Sequence, residues 1–262
     1  MRSFRPNRRH AVPVCATLLV LPVLLAAAGA GTPIPPAGGE ESFGDPTNIT
    51  NSYFPVSPGG MRVYVGREGG QRVTIVETHL PETRVFEWAG QEVECLVVDQ
   101  VTFVGGRKVE RERRFFAQAD DGTVWCFGET DDDEEGDVDE EDDPDEEDPG
   151  GWVVGQLAAG DPEDALTGAR PTVWMPPAPV VGDTWVREEL PPAFDEACET
   201  RAEGVAARTP AGRFPDCVKI RSESASDEER EAQWFAPGTG LVRVAGDGVR
   251  LRLQATTFHP AE

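Results

Sequence analysis

Apolar residues along most of the chain recur at every second position. Val73 and Ile75, then Val97, Val101 and Phe103, then Val249, Leu251 and Leu253 separated by Arg250 and Arg252, carry the period of half-buried strands. Turn residues fall between these runs at Glu68-Gly69-Gly70, Ala89-Gly90, Gly105-Gly106, Asp120-Asp121-Gly122, Pro210-Ala211-Gly212 and Gly246-Asp247-Gly248. Joints of that size make consecutive strands antiparallel neighbours. The pattern therefore predicts an all-β, mainly antiparallel fold: a strongly curved meander sheet, a half-barrel or open barrel, with little helix. Pro162 to Leu166 has room for a single helical turn. Trp152 to Val181, with its Gly, Pro and scattered apolar residues, reads as a long connection between two meanders.

The first thirty residues break this pattern. Arg2, Arg5, Arg8 and Arg9 precede an apolar run from Ala11 to Ala28, and small residues follow, so residues 1–30 are expected to be a signal peptide. Cleavage is expected before Gly31 or earlier, after Ala26 to Ala28. Pro13 and Pro22 interrupt the run and no basic stop-transfer cluster follows, so no stable membrane span is expected once the signal is removed. Cys15 lies inside the run instead of just after it, which disfavours lipid anchoring. The expected location is secreted or envelope-associated, outside the cytoplasm. Residues 31–44 read as a flexible Pro/Gly linker, and 45–262 as a single β domain with an acidic insert at 130–151.

Charge sharpens the picture. The formal net charge is -24, and Asp131 to Asp148 supplies fifteen carboxylates with no base among them. A surface of that sign repels phosphate backbones, so no nucleic-acid partner is expected. Asp131, Asp133, Glu135, Asp139 and Asp142, with Gly136 and Val138, fall where an EF-hand loop places ligands, turn and apolar residue. A run this acidic fits almost any carboxylate template, and a strand and a Pro-Gly-Gly stretch flank it where two helices would stand. Weak calcium association, on the order of 0.1 to 1 mM, is the most such a loop can offer. The insert is expected to be disordered and solvated.

Register follows from the turns. Centring one hairpin between Asp120 and Asp121 puts Phe115 opposite Cys126, Arg113 opposite Gly128, Glu112 opposite Glu129 and Arg111 opposite Thr130. The strand from Gly106 to Phe116 carries Arg107, Lys108, Arg111, Arg113 and Arg114, so it needs polar company on both faces. Ion pairing with the root of the acidic insert is the expected answer, and an anion-binding wall the alternative. Four cysteines beyond the leader, Cys95, Cys126, Cys198 and Cys217, are disulfide candidates in an exported chain, or else buried thiols. The turn at Gly105-Gly106 sets Cys95 opposite Phe116, one strand away from Cys126. The turn at Pro210-Ala211 sets Cys217 opposite Gly204, with Cys198 six residues further along.

Catalysis is not expected. Beyond the leader the chain has only His79 and His259, one before Leu80-Pro81 and one in the terminal Phe-His-Pro-Ala-Glu, and neither has a nucleophile or metal-ligand partner in sequence. No phosphate-cradling loop, nucleophile elbow or C-x-x-C is present, so no cofactor is expected either.

Thr209 to Ile220 (TPAGRFPDCVKI) followed by Gln233 to Val244 (QWFAPGTGLVRV) resembles the closing signature of a group of exported bacterial β proteins. That signature is a G-x-F-x-x-C strand and then an aromatic-Ala-Pro-Gly-x-Gly-Leu-Val hairpin. Asn51 to Gly60, Asp120 to Glu129 and Val173 to Trp185 match further along the same order. Cys126 stands where the pattern has an aromatic, and the acidic insert is an addition. The resemblance implies, by analogy with lipoprotein-carrier half-barrels, an open antiparallel sheet with an apolar concave face. The expected role is that of a non-catalytic exported protein holding an apolar or amphipathic envelope ligand. The alternative is a structural or interaction module of the envelope that binds protein or polysaccharide at its rim.

Overall fold

The computed structural model describes residues 33–35, 37–131, 150–190, 194–224, 230–246 and 248–258. Among the described residues fourteen strands follow one another: β1 (Met61–Glu68), β2 (Gln71–Trp88), β3 (Gln91–Val104), β4 (Arg107–Gln118), β5 (Val124–Asp131), β6 (Gly151–Val154), β7 (Leu166–Ala169), β8 (Thr172–Met175), β9 (Thr184–Leu190), β10 (Phe194–Thr209), β11 (Gly212–Ser224), β12 (Arg230–Ala236), β13 (Gly240–Gly246) and β14 (Val249–Thr256). They form one sheet in the order β7-β6-β5-β4-β3-β2-β1-β14-β13-β12-β11-β10-β9, with β8 paired to β5. All pairings are antiparallel except β6 with β7. The sheet is open, curved and all-β, as the period-two pattern predicts. Among the described residues no helix is long and apolar enough to cross a membrane.

Two meanders make this sheet. β1 to β5 run out one way and β9 to β14 the other, and β1 and β14 join them through seven paired positions from Arg62↔Thr256 to Glu68↔Val249. Alternation then decides what each face carries. Val249, Leu251 and Leu253 of β14 are buried, while Arg250 and Arg252 between them are exposed. The long strands do not stay flat. Register shifts interrupt β2–β3 between His79 and Thr83, and β10–β11 at three points between Thr200 and Ala207. Bulges of this kind bend a strand and increase its twist, so the sheet curls inward. The larger core cluster fills that curl with Phe54, Phe86, Phe115, Phe116, Phe127, Trp152 and Phe235 among others. A second cluster forms where Ala207, Phe214 and Cys217 near the tip of the β10–β11 hairpin meet Val242 and Leu253.

Four expectations need correction. Residues 31–44 are not a free linker over their described part: Ile34 N–H donates to Thr184 O at 2.8 Å, Ala37 is buried, Gly44 N–H donates to Asp120 Oδ1 at 2.8 Å, and Phe43 packs edge-on against Phe127 at 5.5 Å. An extended Pro/Gly segment shows no periodicity, yet its backbone here meets the outer edge of β9 at Thr184. The β4–β5 register is also displaced. Phe116 faces Cys126, Arg114 faces Glu129 and Glu112 faces Asp131, because the turn closes over Ala119 to Thr123 and a bulge lies between Arg114 and Phe116. Cys217 faces Val205 and Cys198 faces Ser222, a one-residue change from the simple hairpin count at Cys217. Finally, the connection from Trp152 to Val181 is not irregular throughout: it carries β6, β7 and β8 and buries Trp152.

Gly66 marks the tightest point of the central seam. A Cβ there would lie 1.8 Å from the Arg250 carbonyl oxygen. Gly66→Ala is therefore expected to lower stability by about 1 to 3 kcal/mol, the range for overpacking a filled site, as read from the urea midpoint at an unchanged m-value.

Candidate functional site

The inner side of the curl holds more polar groups than an apolar core needs. Alternation aims Arg62 and Tyr64 of β1, Glu77 and His79 of β2, Gln100 of β3, Glu112 and Arg114 of β4 and Gln233 of β12 inward beside Phe116, Phe235 and Leu251. All of them but His79 line a cavity of about 200 Å³ reached by side chains of β1 to β4, β8 to β10 and β12 to β14. Its apolar wall includes Phe54, Ile75, Val98 and Leu241. Phe54 and Phe116 meet edge-on at 4.9 Å, and Trp174 of β8 stands against Phe116 at 5.2 Å.

Trp174 is flanked by two cations. Arg114 lies 5.0 Å and Arg187 4.7 Å from its ring centroid. Arg187, 3% exposed, donates from Nη1 to Gln233 Oε1 at 3.1 Å and lies 3.5 Å from Glu196 Oε1. Arg114 pairs with Glu129 at 2.9 Å and with Glu112. Burial pushes the Glu112 carboxyl well above the usual carboxylate range; Arg114 opposes this, while Glu129, Asp131 and Glu110 add to it.

A second polar cluster closes the other end. Arg62 and His79 are each 1% exposed, and both reach Glu77 Oε1, the histidine at 2.9 Å. Ser57 N–H donates to His79 Nδ1 at 3.1 Å, so Nδ1 is the acceptor and Nε2 carries the proton that Glu77 receives. Arg62 Nε donates to Thr239 O at 2.8 Å, Nη2 donates to Pro55 O, and the Phe258 ring lies 4.4 Å from the guanidinium carbon. Burial alone would raise the Glu77 carboxyl. The Arg62 guanidinium and the hydrogen bond from His79 outweigh it and hold the group at about 2. Gly240 makes this possible, since a Cβ there would come within 2.8 Å of Arg62 Nη2. Asn51 to Gly60 and the Ala-Pro-Gly-Thr-Gly hairpin, read above as matching motifs, thus converge on one buried arginine. His79, which has no nucleophile or metal-ligand partner in the sequence, is a core residue held between Ser57 and Glu77.

The charged strand β4 finds its partners on both sides. Arg111 and Arg113 reach Asp99 of β3 at 2.7 and 3.4 Å, and Arg114 turns toward the root of the acidic insert at Glu129. Of the metal-ligand set, Asp133, Glu135, Asp139 and Asp142 lie outside the described residues. Asp131 comes together with Glu110 and Glu112, their oxygens within 4.8 Å of one another. Sequence spacing could not give this trio, which depends on the bulge that sets Glu112 opposite Asp131. Cys95, Cys126, Cys198 and Cys217 are buried thiols, with no disulfide among them. Burial pushes the Cys95 thiol well up and the Cys217 thiol to about 11. Arg62, Trp174 and Arg187 escaped the sequence reading. For Arg62 the signal was present, since it occupies an inward place in the alternation of β1.

No protein-family model matches the chain, and no curated protein matches it in sequence, so the family resemblance rests on the motifs alone. A solved structure described as a "putative lipoprotein" from Parabacteroides distasonis aligns with 79% of this chain and 99% of its own, at 15% identity and a TM-score of 0.41. That likeness is too loose to transfer a role.

Arg62→Met is expected to destabilise the protein by about 3 to 5 kcal/mol in denaturant titrations, because it strands the Glu77 carboxylate inside. Glu77 is held below its ordinary 4.5 at about 2, so its contribution is complete above the ordinary value and disappears as pH falls through that interval. Unfolding midpoints measured across the window should fall less steeply for Glu77→Gln than for the wild type; equal slopes would mean that the carboxylate contributes nothing. Glu112, raised instead of lowered, works in the opposite sense, its buried charge being relieved as pH falls. A thiol reagent should leave Cys95, Cys126, Cys198 and Cys217 unlabelled in native buffer and label all four in guanidinium.

Proposed function

We propose that the chain is an exported, non-catalytic binding protein that takes a small anionic amphiphile into the curl of its sheet. The observation that carries this reading is the cavity of about 200 Å³ whose walls are aromatic and aliphatic and whose polar side gathers arginines and carboxyls. Three guanidiniums, Arg62, Arg114 and Arg187, line it with the carboxyls Glu77, Glu112 and Glu196. Burial disfavours the charged form of Glu112, which tilts this lining toward positive charge. A ligand carrying one carboxylate would restore the balance with its acidic end near Arg187 and its apolar body against Phe54, Phe116 and Phe235.

Size limits the class. The cavity is smaller than the roughly 300 to 1,000 Å³ of sites for drug-sized ligands, which suits a short or medium acyl chain better than a whole diacyl lipid. Support for a role without catalysis comes from His79, both of whose ring nitrogens are engaged by Ser57 and Glu77. Export rests on the leader at residues 1–30.

Titration calorimetry with a medium-chain fatty acid and with its methyl ester tests this reading. One site is expected, with the acid bound at least tenfold tighter than the ester and with Arg187→Gln abolishing that preference. No heat from either compound, or equal affinity for both in the wild type, would overturn it.

A further inference from the structure

The outer face of the central seam carries a charge pattern that the rest of the fold does not balance. Arg72 of β2, Arg67 of β1 and Arg250 of β14 are directly opposite one another across three adjacent strands. Arg252 of β14 and Arg243 of β13 form a second opposed pair two positions along. Like charges placed opposite each other destabilise a sheet. Sheets normally relieve this with an acid on the neighbouring strand, as β4 does through Asp99.

Among the described residues no such relief lines the site. These five arginines and Arg208 line one open groove of about 630 Å³ together with Val65, Gly66, Thr74, Val244 and Ala245, and no carboxylate contributes to it. Among the described residues none of the six is paired with an acid. Arg67 donates to Gly70 O at 2.8 Å, and Arg243 lies over the Trp234 ring at 4.4 Å. The contrast with a chain of net charge -24 makes the patch more conspicuous. The lining itself is therefore cationic, and a Debye length of about 8 Å at physiological salt screens charges lying further away than that.

We infer that this groove is a docking surface for a phosphate-bearing polyanion. Every cation in it is arginine, whose planar fork grips two oxyanion oxygens at once and holds its charge at any working pH. Neighbouring strands stand about 4.8 Å apart and alternate residues about 6.6 Å apart along a strand, so the guanidiniums form a grid that meets a flexible chain of repeating charges at several points. Trp234 beside the groove is already covered by Arg243 and by Lys219 at 5.1 Å, so it offers no free platform on which nucleic-acid bases could stack. The partner is thus a polymer read by its charge and not by its bases. This surface is on the face opposite the cavity and does not depend on the ligand proposed there.

The test is binding of long-chain inorganic polyphosphate to the full chain, followed by calorimetry over a series of salt concentrations. The wild type is expected to bind with an affinity that falls linearly on a log–log plot against salt. The triple variant Arg67→Gln/Arg72→Gln/Arg250→Gln should bind at least tenfold more weakly, with the slope reduced by about two, since each phosphate neutralised on a flexible strand accounts for about 0.7 of it. The double variant Arg243→Gln/Arg252→Gln should weaken binding in the same direction, and Arg201→Gln, whose partner is Glu199, should not. Thermal melts at or above the wild-type midpoint would show that the variants fold. Absence of binding at low salt, binding unchanged in both arginine variants, or equal affinity for poly-glutamate, which would make this an acidic-peptide surface, overturns the inference.

Discussion

The buried guanidinium of Arg62 is the constraint on which the rest of the structure depends. It reaches carbonyls of Pro55 and Thr239 and the carboxylate of Glu77, so it ties the loop before β1, the strand β2 and the β12–β13 hairpin to a single point. Each of these segments would otherwise bring an unsatisfied polar group into the curl. An uncompensated buried charge is far more costly than a solvated one, so the three segments must arrive together or not at all. Small residues packed around it, Gly60 and Gly240, follow from the same need, since side chains there would collide with Phe258, His79 or Arg62 itself. What looks in the sequence like a set of separate turn motifs is the shell of one ion.

Much of the architecture was legible before the structure. Period-two alternation in β14 and the glycine turns gave strand type, order and handed-off hairpins, because both are local properties of the backbone. Register was less legible. The β10–β11 count holds from Thr209↔Gly212 to Ala207↔Phe214 and then slips, since bulges answer to packing across the curl and leave no mark in composition. The lead-in from Pro33 to Gly44 was misread for a related reason. A segment that docks through its backbone needs no pattern of side chains.

The interior polar groups were the least legible part. Arg62, Glu112 and Arg187 sit at inward positions, yet a charged residue in an alternating strand reads equally well as the solvent face of a shifted register. Only their partners settle it, and those come from β9, β10 and β12 as well as from neighbouring strands. The acidic run pulled attention toward cation binding at residues 131 to 142. The grouping the fold produces, Glu110, Glu112 and Asp131, owes more to a bulge in β4 than to the run itself.

The bond between the first and last strands of the body carries a consequence for how the chain is made. Arg62 meets Thr256, so the middle of the sheet joins segments nearly two hundred positions apart. Contacts so remote in sequence slow folding, because the intervening chain must be closed into a loop before they can form. Neither meander can cover its inner apolar row at the seam until β14 joins it, so the two halves stay uncommitted to each other until the last strand arrives.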